Sequence, residues 1–308
     1  MTGRARPICV IGNANLDLVA GSVADWPAWG TEVFLSNSDF RIGGSAANTA
    51  IVLQRLGHAA GLVSARGNDE AGGMIAQHFA GDLDRVAALP ERTSISVGIL
   101  QTGGERSFFS TDGHLDGLDA DFYRAGLEDW PLDGALALVS GGFALPALMD
   151  AHAGFLEWLK SRGAEVAIDP GWPGEGWTDA AVDMARDWVA LADHVLFNEM
   201  EALGLTGATD IEQAQDAMQT MLAPSAWLIV KQGPDGASCC RGEERLHEAA
   251  EPLQVMDTIG AGDAFNAGYL SAIADGEDEG AALKRGIRVA GRVISEFPRR
   301  SDPISPTP

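Results

Sequence analysis

From residue 136 onward, apolar and polar positions fall into two alternating patterns. Short apolar runs stand at 136–140, 165–169, 194–197 and 226–230. Between them, near 146–162, 179–191 and 210–222, apolar residues recur at helical spacing. Runs that short read as strands buried on both faces, and the spaced stretches as amphipathic helices. Strands and helices taking turns predict a parallel sheet with helices on both sides. The N-terminal half carries the same pattern, with strands at 8–11 and 61–65 and a helix at 70–79. After Gly43-Gly44, Ala50, Leu53 and Leu56 lie at helical spacing and Gly57 stops the helix. A last helix is predicted at 281–297, its Lys284, Arg285, Arg288 and Arg292 reading as a solvated face, and a loose proline-rich tail follows.

Two segments, 18–40 and 96–112, break this alternation. The first reads as a turn at 26–30 and a short strand at 31–35. The second reads as two strands around Thr102-Gly103-Gly104, a hairpin turn. Together they are expected to form a small sheet projecting as a lid from one domain that spans 1–308. Arg106 lies on this lid, either as a solvated edge-strand arginine or within reach of a ligand.

Composition narrows the partners. The 308 residues are 46% hydrophobic, ample for a large core. Lys+Arg number 21 against 44 Asp+Glu, a net charge of −23, which argues against nucleic acid or an anionic membrane. Any anionic ligand must therefore be held by local N–H groups, a metal and a few cations. With three lysines in the chain, Lys231 in a glycine-rich stretch is informative. Three cysteines, two of them adjacent, suggest no disulfide framework and a cytoplasmic location. No stretch is long and apolar enough to span a bilayer; the best, 135–149, is broken by Gly141-Gly142 and Pro146.

The candidate chemistry gathers after strands and at helix starts. Asp257-Thr258-Ile259-Gly260-Ala261-Gly262-Asp263 precedes a small, apolar run that reads as a buried helix. Glycines let the backbone approach a ligand, and the free N–H groups and dipole of a helix start attract anions. Asp263 in the first turn would accept the proton of a hydroxyl attacking a phosphoryl group held there. The same N–H groups favour its ionised form, so its pKa is expected to be low or normal. Asn15 and Asp17 follow the first strand, where ligands of parallel sheets sit, although a plain turn Asp reads the same way. Gly43-Gly44 opens another helix whose first turn carries Asn48. Phe197-Asn198-Glu199-Met200-Glu201 follows a later strand, and Lys231-Gln232-Gly233-Pro234-Asp235-Gly236 another. Alone, these last two read as a helix cap and a turn. The chain lacks a P-loop, a dinucleotide fingerprint and a nucleophile elbow.

The 257–263 string resembles the C-terminal signature Asp-Thr-x-Gly-Ala-Gly-Asp of the ribokinase-like (PfkB-type) carbohydrate and nucleoside kinases, and 43–57 resembles their N-terminal signature. Asn198 and Glu201 match the family's Asn-x-x-Glu motif. This likeness implies a three-layer α/β/α fold with a mostly parallel central sheet and a β-sheet lid. It implies transfer of the γ-phosphoryl group of ATP to a hydroxymethyl hydroxyl of a small sugar, with Asp263 as base and Gly260, Ala261 and Gly262 as anion hole. Asn15, Asp17, Gly43, Gly44, Asn48 and Arg106 would hold the acceptor. Asn198, Lys231, Gly233 and Gly236 would line the ATP site, with Asn198 and Glu201 placing Mg²⁺ through water. K⁺, which many members bind, would meet Asp257 and the Ile259 carbonyl. Pairing through the lid would make a homodimer. Two departures from ribokinase itself, Ser45 in place of lysine and no glutamate at 141–143, point away from ribose. Two alternatives stand beside the sugar kinase. One is a nucleoside kinase using Trp26, Trp29 and Phe34 to cover a base, and the other a catalytically silent sugar-binding protein.

Overall fold

The protein is described by a computed structural model covering residues 5–102 and 106–305. Its strands are β1 (Ile8–Gly12), β2 (Asn15–Val23), β3 (Asn37–Gly43), β4 (Ala60–Gly67), β5 (Arg85–Leu89), β6 (Ile95–Gln101) and β7 (Arg106–Ser110). They continue with β8 (Leu136–Ser140), β9 (Glu165–Asp169), β10 (His194–Asn198), β11 (Trp227–Lys231), β12 (Ala237–Arg241) and β13 (Glu244–Glu248). Nine of these form one sheet in the order β13-β12-β11-β10-β9-β8-β1-β4-β5. Pairing is parallel from β5 through to β11, and antiparallel across β11, β12 and β13.

Side chains alternate across each strand, so β1 feeds two cores. Cys9 and Ile11 point into one apolar layer, and Ile8 and Val10 into the other. Helices His152–Ser161, Asp179–Val189 and Ile211–Gln219 cover the first layer with Phe155, Trp188 and Met218. Helices Ser45–Arg55, Ala261–Ala274 and Glu279–Ile294 cover the second with Leu53, Tyr269 and Val289. The result is the three-layer α/β/α arrangement that the alternating pattern implied.

The four remaining strands form a separate sheet in the order β3-β2-β6-β7. β2 lies antiparallel to β3, from Asn15 opposite Gly43 to Gly21 opposite Asn37. The strand expected at 31–35 does not form. That apolar run has no neighbour to pair with and lies in an irregular stretch where Val33 and Phe34 are exposed. The polar-looking Asn37-Ser38-Asp39 belongs to the strand instead, because β2 supplies its backbone partners. The β6–β7 pairing runs from Ser96 opposite Ser110 to Leu100 opposite Arg106; Gly103 and Gly104 of the turn lie outside the described residues.

Two C-terminal expectations are also corrected. Arg285 is not solvated: its guanidinium is buried and bonds Asp275 and Glu277, each at 2.5–2.6 Å. The tail is not loose either. Arg55 Nε donates to the Asp302 carbonyl at 2.9 Å, and the Ile304 N–H to the Arg55 carbonyl at 2.8 Å. Proline stops the helix but does not prevent Ile304 from burying its side chain against the second core.

Candidate active site

Two helix starts meet beside the carboxyl edge of the large sheet. Helix Ser45–Arg55 begins after Gly44, at φ 93°, and helix Ala261–Ala274 after Gly260, at φ 76°. Both values lie where an L side chain is strained, so glycine suits both turns. Neither glycine can cap its own helix; at the first start the Ala46 N–H donates to Asn13 Oδ1 at 3.5 Å and the Ala47 N–H to the Asn13 carbonyl at 3.2 Å, and at the second the Ala261 N–H donates to the Thr258 carbonyl at 3.1 Å. The two helices are joined by their polar residues. Asn48 Nδ2 donates to Asp263 Oδ2 at 2.9 Å, and Thr49 Oγ1 to the Asp263 carbonyl at 3.3 Å.

The Asp263 carboxyl does not have the low or normal pKa expected from the helix dipole. Burial pushes it up to about 7; the Asn48 hydrogen bond lowers it, the Asp169 charge raises it and Lys231 lowers it. Desolvation exceeds the dipole because the group is surrounded by protein and shares its surroundings with other carboxylates.

One of these is Asp17 on β2, also raised by burial. Asn15 Nδ2 donates to Asp17 Oδ1 at 2.7 Å, which fixes the carboxylate's orientation. Space for it comes from Gly43 on the neighbouring strand, where a Cβ would stand 2.1 Å from the carboxylate carbon. At Gly44 a Cβ would stand 2.7 Å from the Asn13 carbonyl oxygen. Gly43, Gly44, Asn15, Asp17 and Asn48 are thus one packed unit, brought together by the β2–β3 pairing and the helix that follows β3.

Ser45, where ribokinase carries lysine, donates to Asn13 Oδ1 at 2.9 Å. Gly141 stands at φ 74°, and a Cβ there would come within 2.6 Å of Ser45 Oγ, so a side chain at this position would be strained and would displace the hydroxyl.

Beneath the second helix start lies a buried ionic group. Lys231 Nζ, at the end of β11, reaches Asp169 Oδ2 at 2.7 Å and Asn266 Oδ1 at 3.2 Å. Burial lowers the Lys231 pKa, but the charges of Asp169 and Glu201 outweigh it and the net shift is upward. A Cβ at Gly262 would lie 3.4 Å from Lys231 Nζ, so the ammonium sits directly under the glycine turn. Asn198 and Glu201 form a reciprocal cap of helix Glu199–Thr206, each side chain bonding the other's backbone N–H at 2.8 Å. Burial and the Asp169 charge raise the Glu201 pKa. Gly233 and Gly236 flank the turn between β11 and β12; a Cβ at Gly236 would stand 2.0 Å from the Glu248 carbonyl oxygen, whereas Gly233 faces open space.

Arg106 ties the lid to the loop, its Nη1 donating to Thr258 Oγ1 at 2.6 Å. The far side of the same loop is cationic. Asp257 Oδ2 lies 2.8 Å from Arg41 Nη1 and 3.2 Å from Arg299 Nη2. Arg299 Nη2 also donates to the Asp257 carbonyl at 2.9 Å and the Ile259 carbonyl at 2.5 Å.

Asn13, Asn266, Arg41 and Arg299 belong to this site but were not singled out from the sequence. Asn266 had a signal, since it stands three positions after Asp263 on one helix. Arg299 had none, being a lone arginine in a proline-rich tail.

The sequence model of the pfkB family carbohydrate kinases matches residues 5–304. A fructokinase of Klebsiella pneumoniae is 31% identical over 243 residues, 75% of this chain and 76% of that protein. A ribokinase of Bacillus subtilis is 25% identical over 296 residues, 95% and 94% of the two chains. Among solved structures, Arabidopsis thaliana ribokinase complexed with ribose and ATP superposes with a TM-score of 0.77 at 22% identity, covering 97% of this chain and 96% of that one.

The match to the family model and the fructokinase relative show a phosphotransferase with an alcohol acceptor, built on the ribokinase-like architecture. The chain belongs to the pfkB family of carbohydrate kinases. Among the described residues, no helix is long and apolar enough to cross a membrane.

Proposed function

We propose that this protein phosphorylates the hydroxymethyl hydroxyl of a small sugar, using MgATP. The observation that carries the reading is Asp263. It is half-buried beside the Gly260 turn and held at 2.9 Å by Asn48 from the opposing helix start. An acceptor gripped by Asp17, Asn15 and Asn48 meets that carboxylate from the lid side. The N–H groups of Gly260 and Gly262 would offset the charge of the transferring phosphoryl group, whereas that of Ala261, expected to join them, donates to the Thr258 carbonyl at 3.1 Å. Asp263 orients the hydroxyl and takes its proton as the bond to phosphorus forms. Lys231 beneath the turn, paired with Asp169 at 2.7 Å, offsets the negative charge of the carboxylates around it.

Asn198 and Glu201 would place Mg²⁺ through its water shell, chiefly by Glu201 Oε1, since Asn198 Oδ1 and Glu201 Oε2 are taken by the reciprocal cap. When bound it neutralises phosphate charge. Gly233 and Gly236 shape the nucleotide edge after β11. Arg106 closes the lid rather than gripping the acceptor directly, given its bond to Thr258.

The crowding of Gly141 by Ser45 favours a sugar other than ribose, and similarity to a fructokinase puts ketohexoses first. A nucleoside reading is less supported, because Trp29 and Phe34 are 103% and 87% exposed and not packed over the site. Phe40 and Phe109, brought to one face of the small sheet by the register through Leu18 and Val97, leave an apolar exposed surface that suits pairing of two copies through the lid. The three buried, free cysteines suit a reducing cytoplasm.

The test is MgATP-dependent ADP release over a panel of fructose, other hexoses, ribose and adenosine. Stimulation by a hexose supports the reading. Stimulation by adenosine alone would move the function to a nucleoside kinase, and no stimulation by any acceptor would remove the kinase assignment.

A further inference from the structure

Kinship with the ribokinase-like kinases implies a K⁺ ion against Asp257 and the Ile259 carbonyl. The residues present do not fit one. Arg299 Nη2 stands 2.9 Å from the Asp257 carbonyl oxygen, 2.5 Å from the Ile259 carbonyl oxygen and 3.2 Å from Asp257 Oδ2. The three oxygens that would face a cation already face a guanidinium. The other carboxylate oxygen, Asp257 Oδ1, accepts the Ile259 N–H at 2.9 Å. Arg41 adds a second guanidinium at 2.8 Å from Asp257 Oδ2. Asp39, 2.8 Å from Arg41 Nη1, completes a balanced cluster of two carboxylates and two guanidinium groups, to which a monovalent ion would add a third positive charge.

Arg299 is held in place from several sides. Its backbone N–H donates to Asp39 Oδ2 at 3.2 Å, and Nη1 donates to the Val293 carbonyl. Asp302 and Ile304, a few residues on, are tied to Arg55. Burial lowers the guanidinium's pKa and Asp257 raises it, but arginine stays protonated throughout the range in which a protein works.

We propose that Arg299 is a built-in replacement for the monovalent cation, so that this kinase works without K⁺. The physical link runs through one peptide unit. In a trans peptide the Ile259 carbonyl and the Gly260 N–H point opposite ways. A fixed positive charge on the carbonyl polarises the unit and strengthens the N–H on the far side as a donor. That N–H belongs to the anion-hole turn. Arg299 is therefore a positioning residue, one that sets the loop from behind and touches no reactant. The rate part of this inference rests on the kinase reading above, whereas the thermal part does not.

The test uses the full chain, exchanged into tetramethylammonium chloride and compared with NaCl and KCl at equal ionic strength. Thermal melting is read first. The wild-type midpoint is expected to be the same in all three salts. A midpoint raised selectively by KCl would overturn the proposal whether or not the protein is a kinase. Acceptor-stimulated ADP release is read second, with the best sugar of the panel. Wild type should be as fast in tetramethylammonium as in KCl. Arg299→Met should lose about tenfold or more in kcat, the scale of losing a hydrogen-bonded charge. Added guanidinium, or KCl filling the vacated oxygens, should restore part of that rate. Arg299→Lys, which keeps the charge and so guards against a folding artefact, should fall between the two. Full Arg299→Met activity in tetramethylammonium, or a loss in a folded variant that neither cation nor lysine relieves, would contradict the proposal.

Discussion

Asp257 and Asp263 begin and end one loop, and the protein treats them oppositely. Asp257 is enclosed by two guanidinium groups, Arg41 and Arg299, at 2.8 and 3.2 Å. Asp263 has a neutral amide, Asn48, as its direct partner, and its pKa rises from 3.8 to about 7. A carboxylate between fixed cations is an anchor, whereas a half-buried one left with an amide keeps its affinity for a proton. Stability is the cost of the second arrangement. The folded chain holds the Asp263 proton up to about pH 7 while the unfolded chain releases it near 3.8, so this group's contribution declines as pH rises across that window. The difference separates holding the loop from doing chemistry on it.

The strongest way to break this comparison is to remove the basicity and keep the shape. Asp263→Asn should lower kcat by ~10²–10⁴-fold, the usual scale for a general base, with the ATP Kd nearly unchanged. The same variant should melt at a higher temperature than wild type above neutral pH, since it no longer buries an ionised carboxyl. Rapid-quench turnover, nucleotide titration and thermal melts check the three parts. Asp263→Glu should also be poor, because an added methylene misplaces the carboxylate by about an ångström.

A smaller effect is expected on the acceptor side. Asp17→Ala removes charged hydrogen bonds worth about 1.5–3 kcal/mol each, so the acceptor KM should rise at least about tenfold with little change in ATP binding. Gly43→Ala should mimic it without removing a charge, since the new Cβ would displace the Asp17 carboxylate. An unchanged acceptor KM in both would take Asp17 out of the site.

The smallest effect concerns the lid. Arg106→Ala deletes one exposed hydrogen bond to Thr258, worth about 0.5–1.5 kcal/mol. A change of a few-fold in acceptor KM, with Asp17→Ala adding to it independently, would fit a latch. A loss as large as that of Asp263→Asn would mean that Arg106 touches the reactants.

Much of this organisation was legible in the sequence because its signals are local. Periodicity marked β8 to β11 and their helices, and glycines marked both helix starts. Asp263 and Asn48 could be placed because each sits in the first turn of a helix that such a glycine opens. Signals that depend on distant partners were not legible. β3 was misplaced because Asn37-Ser38-Asp39 looks like a loop until β2 lies beside it. The Asp263 pKa was expected too low because a helix dipole can be read along the chain, whereas burial against Asp169 and Asp17 cannot. Arg299 was read as part of a loose tail, since nothing near it in sequence announces Asp257, 42 residues earlier.

The most direct test of Asp263 as the proton acceptor is the pH dependence of kcat/KM for the identified sugar at saturating MgATP. This ratio reports the ionisations of the enzyme before the acceptor binds. Because the deprotonated carboxylate is the active form, the rate should rise with pH through an apparent pKa near 7 and level off above it. In Asp263→Asn the residual activity should lose that limb. A wild-type profile flat from about pH 5 to 8, or a limb near 7 that survives unchanged in Asp263→Asn, would contradict the account.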